Sequence, residues 1–215
     1  MEVLNNTKDL TVKEPAIFNH IGNKIHTDDR DINIIARFDE PLIVILGNVL
    51  SDEECDTLIR MSKDRLQRSE IRGHEVHELR TSSSMFFEDS ENETITRIEK
   101  RISQIMNIPV EHEEGIQVLN YQKGQEYKAH FDFFSKTNNP RISTLVMYLS
   151  DVEDGGETYF PKLNLSVSPH KGMAVYFEYF YNDPALNKLT LHGSAPVIIG
   201  DKWAATQWMR RKAER

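Results

Sequence analysis

His130 and Asp132 stand two positions apart in Tyr-Lys-Ala-His-Phe-Asp-Phe-Phe (127–134), a run rich in aromatic residues. Such composition favours a strand, and on a strand residues i and i+2 share a face. The two side chains can therefore reach one point. A second histidine, His192, stands far along the chain, just before the turn-forming Gly-Ser-Ala-Pro. Two imidazoles and one carboxylate on one side of a metal leave the opposite positions open, the arrangement of non-haem Fe(II) oxygenases. An H-x-D tripeptide alone is common by chance; His192 and a nearby lysine give it weight. Lys202 opens an alternating segment with Lys202, Ala204, Thr206 and Trp208 on one side and Trp203, Ala205, Gln207 and Met209 on the other. A lysine inside a barrel is costly unless it meets an anion. Beside a metal it would suit a dicarboxylate cosubstrate.

The elements that must position these groups follow from periodicity. Ile32–Phe38 and Leu42–Leu46 read as strands, the second almost continuously apolar. Ser51-Asp-Glu-Glu54 forms a capping box opening a helix to about Gln67, with Cys55, Leu58, Ile59 and Ser62 on its inner face. Ser90 and Glu93 repeat the device before a second helix carrying Ile95, Ile98, Ile102 and Ile105 at helical spacing. Pro109 prevents further extension. From Gly115 to Arg210 the pattern becomes short alternating segments separated by Gly, Pro, Asn and Asp. Two helices followed by many strands around a metal site predict a mainly β, α+β fold: a double-stranded β-helix, or jelly roll, with helices packed outside. Residues 1–31 read as a loosely held polar extension with a hairpin turn at His20–Ile25, and residues 32–215 as one catalytic domain.

The site residues belong to a longer ordered set: Tyr121–Tyr127, Arg141–Val152, Gly155-Gly-Glu-Thr-Tyr-Phe-Pro161 and Lys171–Phe177. Over roughly residues 42–210 the chain resembles the collagen-type prolyl 4-hydroxylases of the Fe(II)/2-oxoglutarate-dependent dioxygenase superfamily, in particular small bacterial-like members. The resemblance implies that His130, Asp132 and His192 hold Fe(II), with 2-oxoglutarate and O2 as cosubstrates. It implies that Lys202, with the hydroxyls of Tyr121 and Thr158, holds the far carboxylate of 2-oxoglutarate through charge-assisted hydrogen bonds. Succinate, carbon dioxide and 4-hydroxyproline would result, with ascorbate as reductant against uncoupled turnover. Positions matching Arg80, Ser82, Glu114, Tyr127 and Arg141 would line a groove for an extended peptide whose carbonyls are free.

Read without the resemblance, Tyr121 is a strand aromatic with its hydroxyl in water, and Glu114 and Arg141 a solvated ion pair. The odd spacing of Tyr127 from His130 requires a bulge or an earlier strand start. Ser84 stands where many relatives have glycine, and the stretch between Asp132 and Arg141 is short for a substrate-covering loop; both bear on the substrate rather than on the iron. The expected substrate is peptidyl proline in a collagen-like or other proline-rich protein. The alternatives are one proline of a folded protein or a lysyl side chain, a non-catalytic proline-rich-peptide binding module, and an oxygen or 2-oxoglutarate sensor. A homodimer is the expectation carried by the family.

The 215 residues carry a net charge of -8, which argues against a nucleic-acid surface. Cys55 is the single cysteine, so no intramolecular disulfide forms. The N-terminal residues lack the basic-then-apolar pattern of a signal peptide and no segment suits a bilayer, so a cytoplasmic protein is expected. His20, His26, His112 and His170 lack ligand spacing and read as surface residues, as do His74 and His77 in a charged segment. The acidic runs Glu111–Glu114 and Asp151–Asp154 read as exposed turns, without the spacing of a calcium loop.

Overall fold

Buried apolar alternation builds this molecule around one large sheet. The computed structural model describes residues 15–70, 78–133 and 137–214. In chain order, the first half contains β1 (Lys24–His26), β2 (Asp31–Asp39), β3 (Leu42–Gly47), α1 (Asp52–Ser62), β4 (Gln67–Arg68), β5 (Ser83–Phe86), α2 (Glu93–Met106), β6 (Gln117–Tyr121) and β7 (Tyr127–His130). There follow β8 (Arg141–Tyr148), β9 (Asp154–Gly155), β10 (Thr158–Phe160), β11 (Leu165–Val167), β12 (Ala174–Glu178), α3 (Pro184–Leu189), β13 (His192–Ser194), β14 (Val197–Ile199) and β15 (Lys202–Arg210). The main sheet runs β1-β2-β3-β12-β8-β15-β6-β5-β4, the smaller one β11-β10-β13-β7, and β14 pairs with β9. Together they form the expected jelly roll, all pairs antiparallel.

The central strands are buried on both faces because each face has a different partner. Leu42, Val44 and Leu46 of β3, Leu145 and Met147 of β8, and Ala174 and Tyr176 of β12 pack with Cys55 and Leu58 of α1 and with Ile95, Ile98, Ile102 and Ile105 of α2. The alternate residues Ile43, Tyr148, Val175 and Phe177 pack against Phe160 and Val167 of the smaller sheet. This two-sided burial turns the strands into near-continuous apolar runs. The helices thus cover the back of the sheet and leave the front for the site.

The helix starts show where local chemistry decides. Ser51 and Glu54 form the expected reciprocal capping box. The second helix is capped by Asn92 rather than Ser90: its side chain accepts from the Thr94 and Ile95 N–H groups. Asn is as good a cap as Ser, and Ser90, at φ 52, instead donates to Glu99. Helix α1 ends at Ser62, short of Gln67. One 3-10 turn over Lys63–Arg65 follows, after which Leu66 turns back against the core as the chain enters β4. α2 ends at Asn107 in the left-handed region, two residues before Pro109.

Two expectations for the N-terminal region fail. The β1–β2 hairpin turns at Thr27–Arg30, closed by Thr27 N–H to the Arg30 carbonyl at 3.1 Å, not at His20–Ile25. A Thr-Asp-Asp-Arg turn supplies its own hydrogen bonds, whereas Gly22 only redirects the chain into β1. Nor are the described residues before Asp31 a loose extension. Phe18 is fully buried and stacked on Tyr176 at 5.2 Å, and its N–H donates to the buried Glu178 carboxylate. Among the described residues no helix is long and apolar enough to cross a membrane.

Candidate metal centre and active-site cleft

The metal-binding set assembles where the smaller sheet meets the main one. His130 ends β7 and lies directly across from His192 of β13. Asp132 lies just beyond the strand, in a bend rather than on it, yet its carboxylate returns to the same point. One ligand atom from each of the three lies within 4.8 Å of the others. His130 Nε2 is 3.4 Å from Asp132 Oδ1, and His192 Nε2 is 3.6 Å from Asp132 Oδ2. Each imidazole is oriented through its other nitrogen. His130 Nδ1 meets the Lys128 carbonyl at 2.9 Å, and His192 Nδ1 meets the Thr190 carbonyl at 3.0 Å. A carbonyl only accepts, so the proton sits on Nδ1 and the Nε2 lone pair faces the centre.

Electrostatics favour ligand forms. Burial lowers His192 to about 4, against the pull of Asp132, so its imidazole is neutral. Burial works against an ionised Asp132, but His192, His130 and, more weakly, the Arg141 charge outweigh it and hold the carboxyl well below the usual range. Thr144 Oγ1 donates to Asp132 Oδ2 at 2.8 Å and lies 2.8 Å from the Tyr179 hydroxyl. A small divalent ion fits this donor set, which leaves one side open.

That open side faces a cleft of about 1370 Å³. Lys202, Ala204, Thr206 and Trp208 all line it, as their alternation on β15 predicts. Lys202 is 2% exposed, and burial lowers its ammonium to about 7. It donates to the Gly156 carbonyl at 2.7 Å and to Ser194 Oγ at 2.9 Å, joining the two sheets. Tyr121 is its cross-strand partner, and Thr158 is the cross-strand partner of Ser194. Tyr121 and Thr158 also line the cleft; the Lys202 ammonium lies 5.5 Å from the Tyr121 ring centre, while the Tyr121 hydroxyl is turned toward Ser82 and Arg80. Thr158 Oγ1 accepts from the Tyr148 hydroxyl at 2.8 Å, which frees its own proton for another acceptor. Glycine is required at position 193: a Cβ there would stand 2.6 Å from the Tyr159 ring and 2.7 Å from the Tyr127 carbonyl.

Sequence reasoning missed Ser194, Tyr148, Thr144 and Tyr179. Ser194 carried a signal, two residues beyond His192 on one strand face; the others were ordinary core-strand residues.

The expected groove residues divide. Tyr127 lies over His130 and lines the cleft, because β7 has one residue more than β13 between paired positions. The required bulge is there. Arg80 lines the cleft, its guanidinium 5.0 Å over the Tyr127 ring. Ser82 is fully buried behind that wall and bonded to Ser69 and Arg80. Glu114 grips Arg141 with two bonds of 2.6 Å and also pairs with Arg210, while Arg141 stacks 3.9 Å from the Trp208 ring and faces the cleft. The acidic run at 111–114 is therefore not an exposed turn: Glu113 is buried and Glu114 nearly so. His20 bonds to the Ile105 carbonyl and His112 to the Arg210 carbonyl, both half-buried, while His26 and His170 are exposed. His74 and His77 lie outside the described residues.

A jelly roll with two histidines and an aspartate around one point, and a buried lysine in the same cleft, defines an iron- and 2-oxoglutarate-dependent oxygenase. The sequence model of the 2OG-Fe(II) oxygenase superfamily matches residues 116–210. The chain belongs to the prolyl 4-hydroxylases within that superfamily. It is 38% identical to prolyl 4-hydroxylase 5 of Arabidopsis thaliana over 216 residues, covering 87% of this chain and 74% of the relative. Prolyl 4-hydroxylase 1 of the same plant is 40% identical, with 80% and 70% covered. Among solved structures, the viral collagen prolyl hydroxylase of Paramecium Bursaria Chlorella virus-1 in its 2OG complex superposes with a TM-score of 0.64 and 32% identity, over 78% of this chain and 94% of that one. A Pseudomonas putida prolyl-4-hydroxylase, 18% identical with a TM-score of 0.58, shares the fold.

Proposed function

We propose that this protein hydroxylates C4 of prolyl residues in a peptide or protein, with Fe(II), 2-oxoglutarate and O2. The observation that carries this reading is the three-ligand centre with one side open to a cleft that also holds Lys202. Iron bound by His130, Asp132 and His192 supplies oxygen activation coupled to decarboxylation of 2-oxoglutarate. Lys202 supplies the fixed positive charge for the distal carboxylate, and Tyr121 and Thr158 each add a hydroxyl donor. Thr144 and Tyr179 hold Asp132, and the backbone carbonyls of Lys128 and Thr190 hold the imidazoles, so the three ligand groups are oriented toward one point. Tyr127, Arg80 and Arg141 form the peptide wall. Ser82 and Glu114 act one layer back, aiming Arg80 and Arg141.

The same reading carries ascorbate as the reductant that rescues uncoupled enzyme. A reducing, cytoplasmic setting agrees with the single, buried, unpaired Cys55. A homodimer is the assembly carried over from the family. The single catalytic domain takes in Phe18 and Ile25, which pack in its core, so its boundary lies before Phe18 rather than at 31/32.

The test is mass spectrometry of proline-containing peptides incubated with enzyme, Fe(II), 2-oxoglutarate and ascorbate. One added oxygen on proline, abolished by His130→Ala or Asp132→Ala, is expected. Succinate formation with lysine rather than proline oxidised, or binding without oxidation, overturns the proline assignment.

A further inference from the structure

The cleft is strongly basic in a chain whose net charge is -8. Arg65, Arg68, Arg80, Arg141, Arg210 and Lys202 line it, against two carboxylates, Glu70 and Asp132. Three of these arginines have carboxylate partners: Arg65 with Glu91 at 2.7 Å, and Arg141 and Arg210 with Glu114 at 2.6 and 2.9 Å. Lys202 is committed to the cosubstrate. Arg68 and Arg80 have no carboxylate partner among the described residues, and they meet at one residue. Arg68 Nη1 donates to the Ser82 carbonyl at 3.0 Å, and Arg80 Nε donates to Ser82 Oγ at 3.4 Å. Arg80 is only 8% exposed. It also bonds to Gln117 Oε1 and the Glu70 carbonyl and approaches the Tyr121 hydroxyl, all neutral.

A nearly buried cation that among the described residues is bonded only to neutral acceptors, with a second like charge beside it, favours an arriving anion. The planar fork of each guanidinium suits a carboxylate. The position identifies where that carboxylate comes from. Arg80 lies over Tyr127, which lies over the ligand His130, so one aromatic ring separates Arg80 from the metal centre. An extended chain advances about 3.3–3.6 Å per residue. A side chain a few residues from the reacting proline spans that gap.

We propose that the substrate carries an aspartate or glutamate one to three residues from the hydroxylated proline, and that Arg68 and Arg80 receive it. The inference rests on the prolyl-hydroxylase reading and narrows it: among proline-containing segments, those with an acidic residue at the right spacing are turned over better than matched uncharged ones.

The experiment uses the full chain and single-proline peptides in which Glu is moved from three residues before to three residues after the proline, each matched to a Gln peptide. At one or two positions the Glu peptide is expected to have a kcat/KM roughly tenfold above its Gln partner, the low end for a hydrogen bond to a charged group. The preference should shrink as salt rises. Arg68 is exposed, so Arg68→Gln folds; it should reduce the Glu/Gln ratio severalfold, and Arg68→Glu should favour a Lys peptide at that position. Equal turnover of Glu and Gln peptides at every position overturns the proposal and leaves proline hydroxylation standing. Fluorescence anisotropy of the same labelled peptides covers the converse: tighter binding of acidic peptides without proline oxidation keeps the anion site and removes the proline assignment.

Discussion

The phenol ring of Tyr127 lies flat on the imidazole of His130, centroids 3.6 Å apart and planes 15° from parallel. Tyr127 therefore presses on a metal ligand from the substrate side. Its hydroxyl is pushed up to about 12 by burial, so it stays protonated throughout the working range. The stack comes from the bulge in β7, since a regular strand would send the ring to the opposite face.

Because the contact is ring on ring, Tyr127→Phe should stay within a few-fold of wild type in kcat/KM for a proline peptide. Tyr127→Ala removes an aromatic pair worth about 0.5–1.5 kcal/mol beyond its area together with a peptide wall, and should lower kcat/KM by roughly 10- to 100-fold. Steady-state kinetics check this; equal activity of Phe and Ala variants would remove the ring from the groove.

Thr144 is the hydroxyl that fixes Asp132. Thr144→Val keeps the shape and deletes the bond, and should weaken metal affinity by about 10- to 100-fold, as loss of such outer contacts typically does. Thr144→Ser should restore most of it. Anaerobic titration with Fe(II), or with Co(II) followed by its absorption bands, reads this without turnover. Unchanged affinity in the valine variant would show that Asp132 is held by packing alone.

Lys202 gives a pH dependence of defined sign. Its ammonium lies near 7 with no anion bound, because burial disfavours the charged form. A carboxylate raises it again, so binding takes up a proton. Affinity for 2-oxoglutarate should therefore be complete below about pH 7 and fall by up to about tenfold per unit above it. Calorimetry in buffers of different ionisation enthalpy should show the uptake at pH 8. Lys202→Ala should raise the 2-oxoglutarate requirement greatly and spare metal binding; equal loss of both would contradict the division of roles.

Behind the sheet, Arg101 ties α2 to Glu54 of α1 and to Asp29 of the β1–β2 turn, 1% exposed and bonded to Glu54 at 2.7 and 2.8 Å. Arg101→Met leaves Glu54 with only the more distant Arg97 and Arg30, at 3.3 and 3.6 Å, and should cost about 1.5–3 kcal/mol in urea unfolding. Burial opposes ionisation of Glu54, yet Arg101 and the Ser51 N–H hold it at about 2, below its ordinary 4.5. A depressed carboxyl stabilises the fold above 4.5 and loses that contribution as pH falls toward 2. Wild type should therefore lose more stability than Glu54→Gln between pH 5 and about pH 3. Parallel acid curves would place the stabilisation elsewhere.

The linear sequence determined the ligand types, the lysine, the alternation of β15, the capping box of α1 and the isoleucine face of α2. Each is a local pattern whose period or hydrogen bonding is complete within a few residues. Those short-range signals also carried the fold class, because helices followed by strands leave few ways to bury every apolar face. Only the tertiary structure decided the rest. Asp132 reaches the centre from a bend, Tyr127 through a bulge, and Thr144, Tyr179 and Ser194 from three different strands or their ends. The choice of Asn92 over Ser90 as cap, and the burial of Phe18, depended on partners far along the chain, Glu99 being the nearest of them. Contacts of that kind are set by register between distant segments, and no period in the sequence records register.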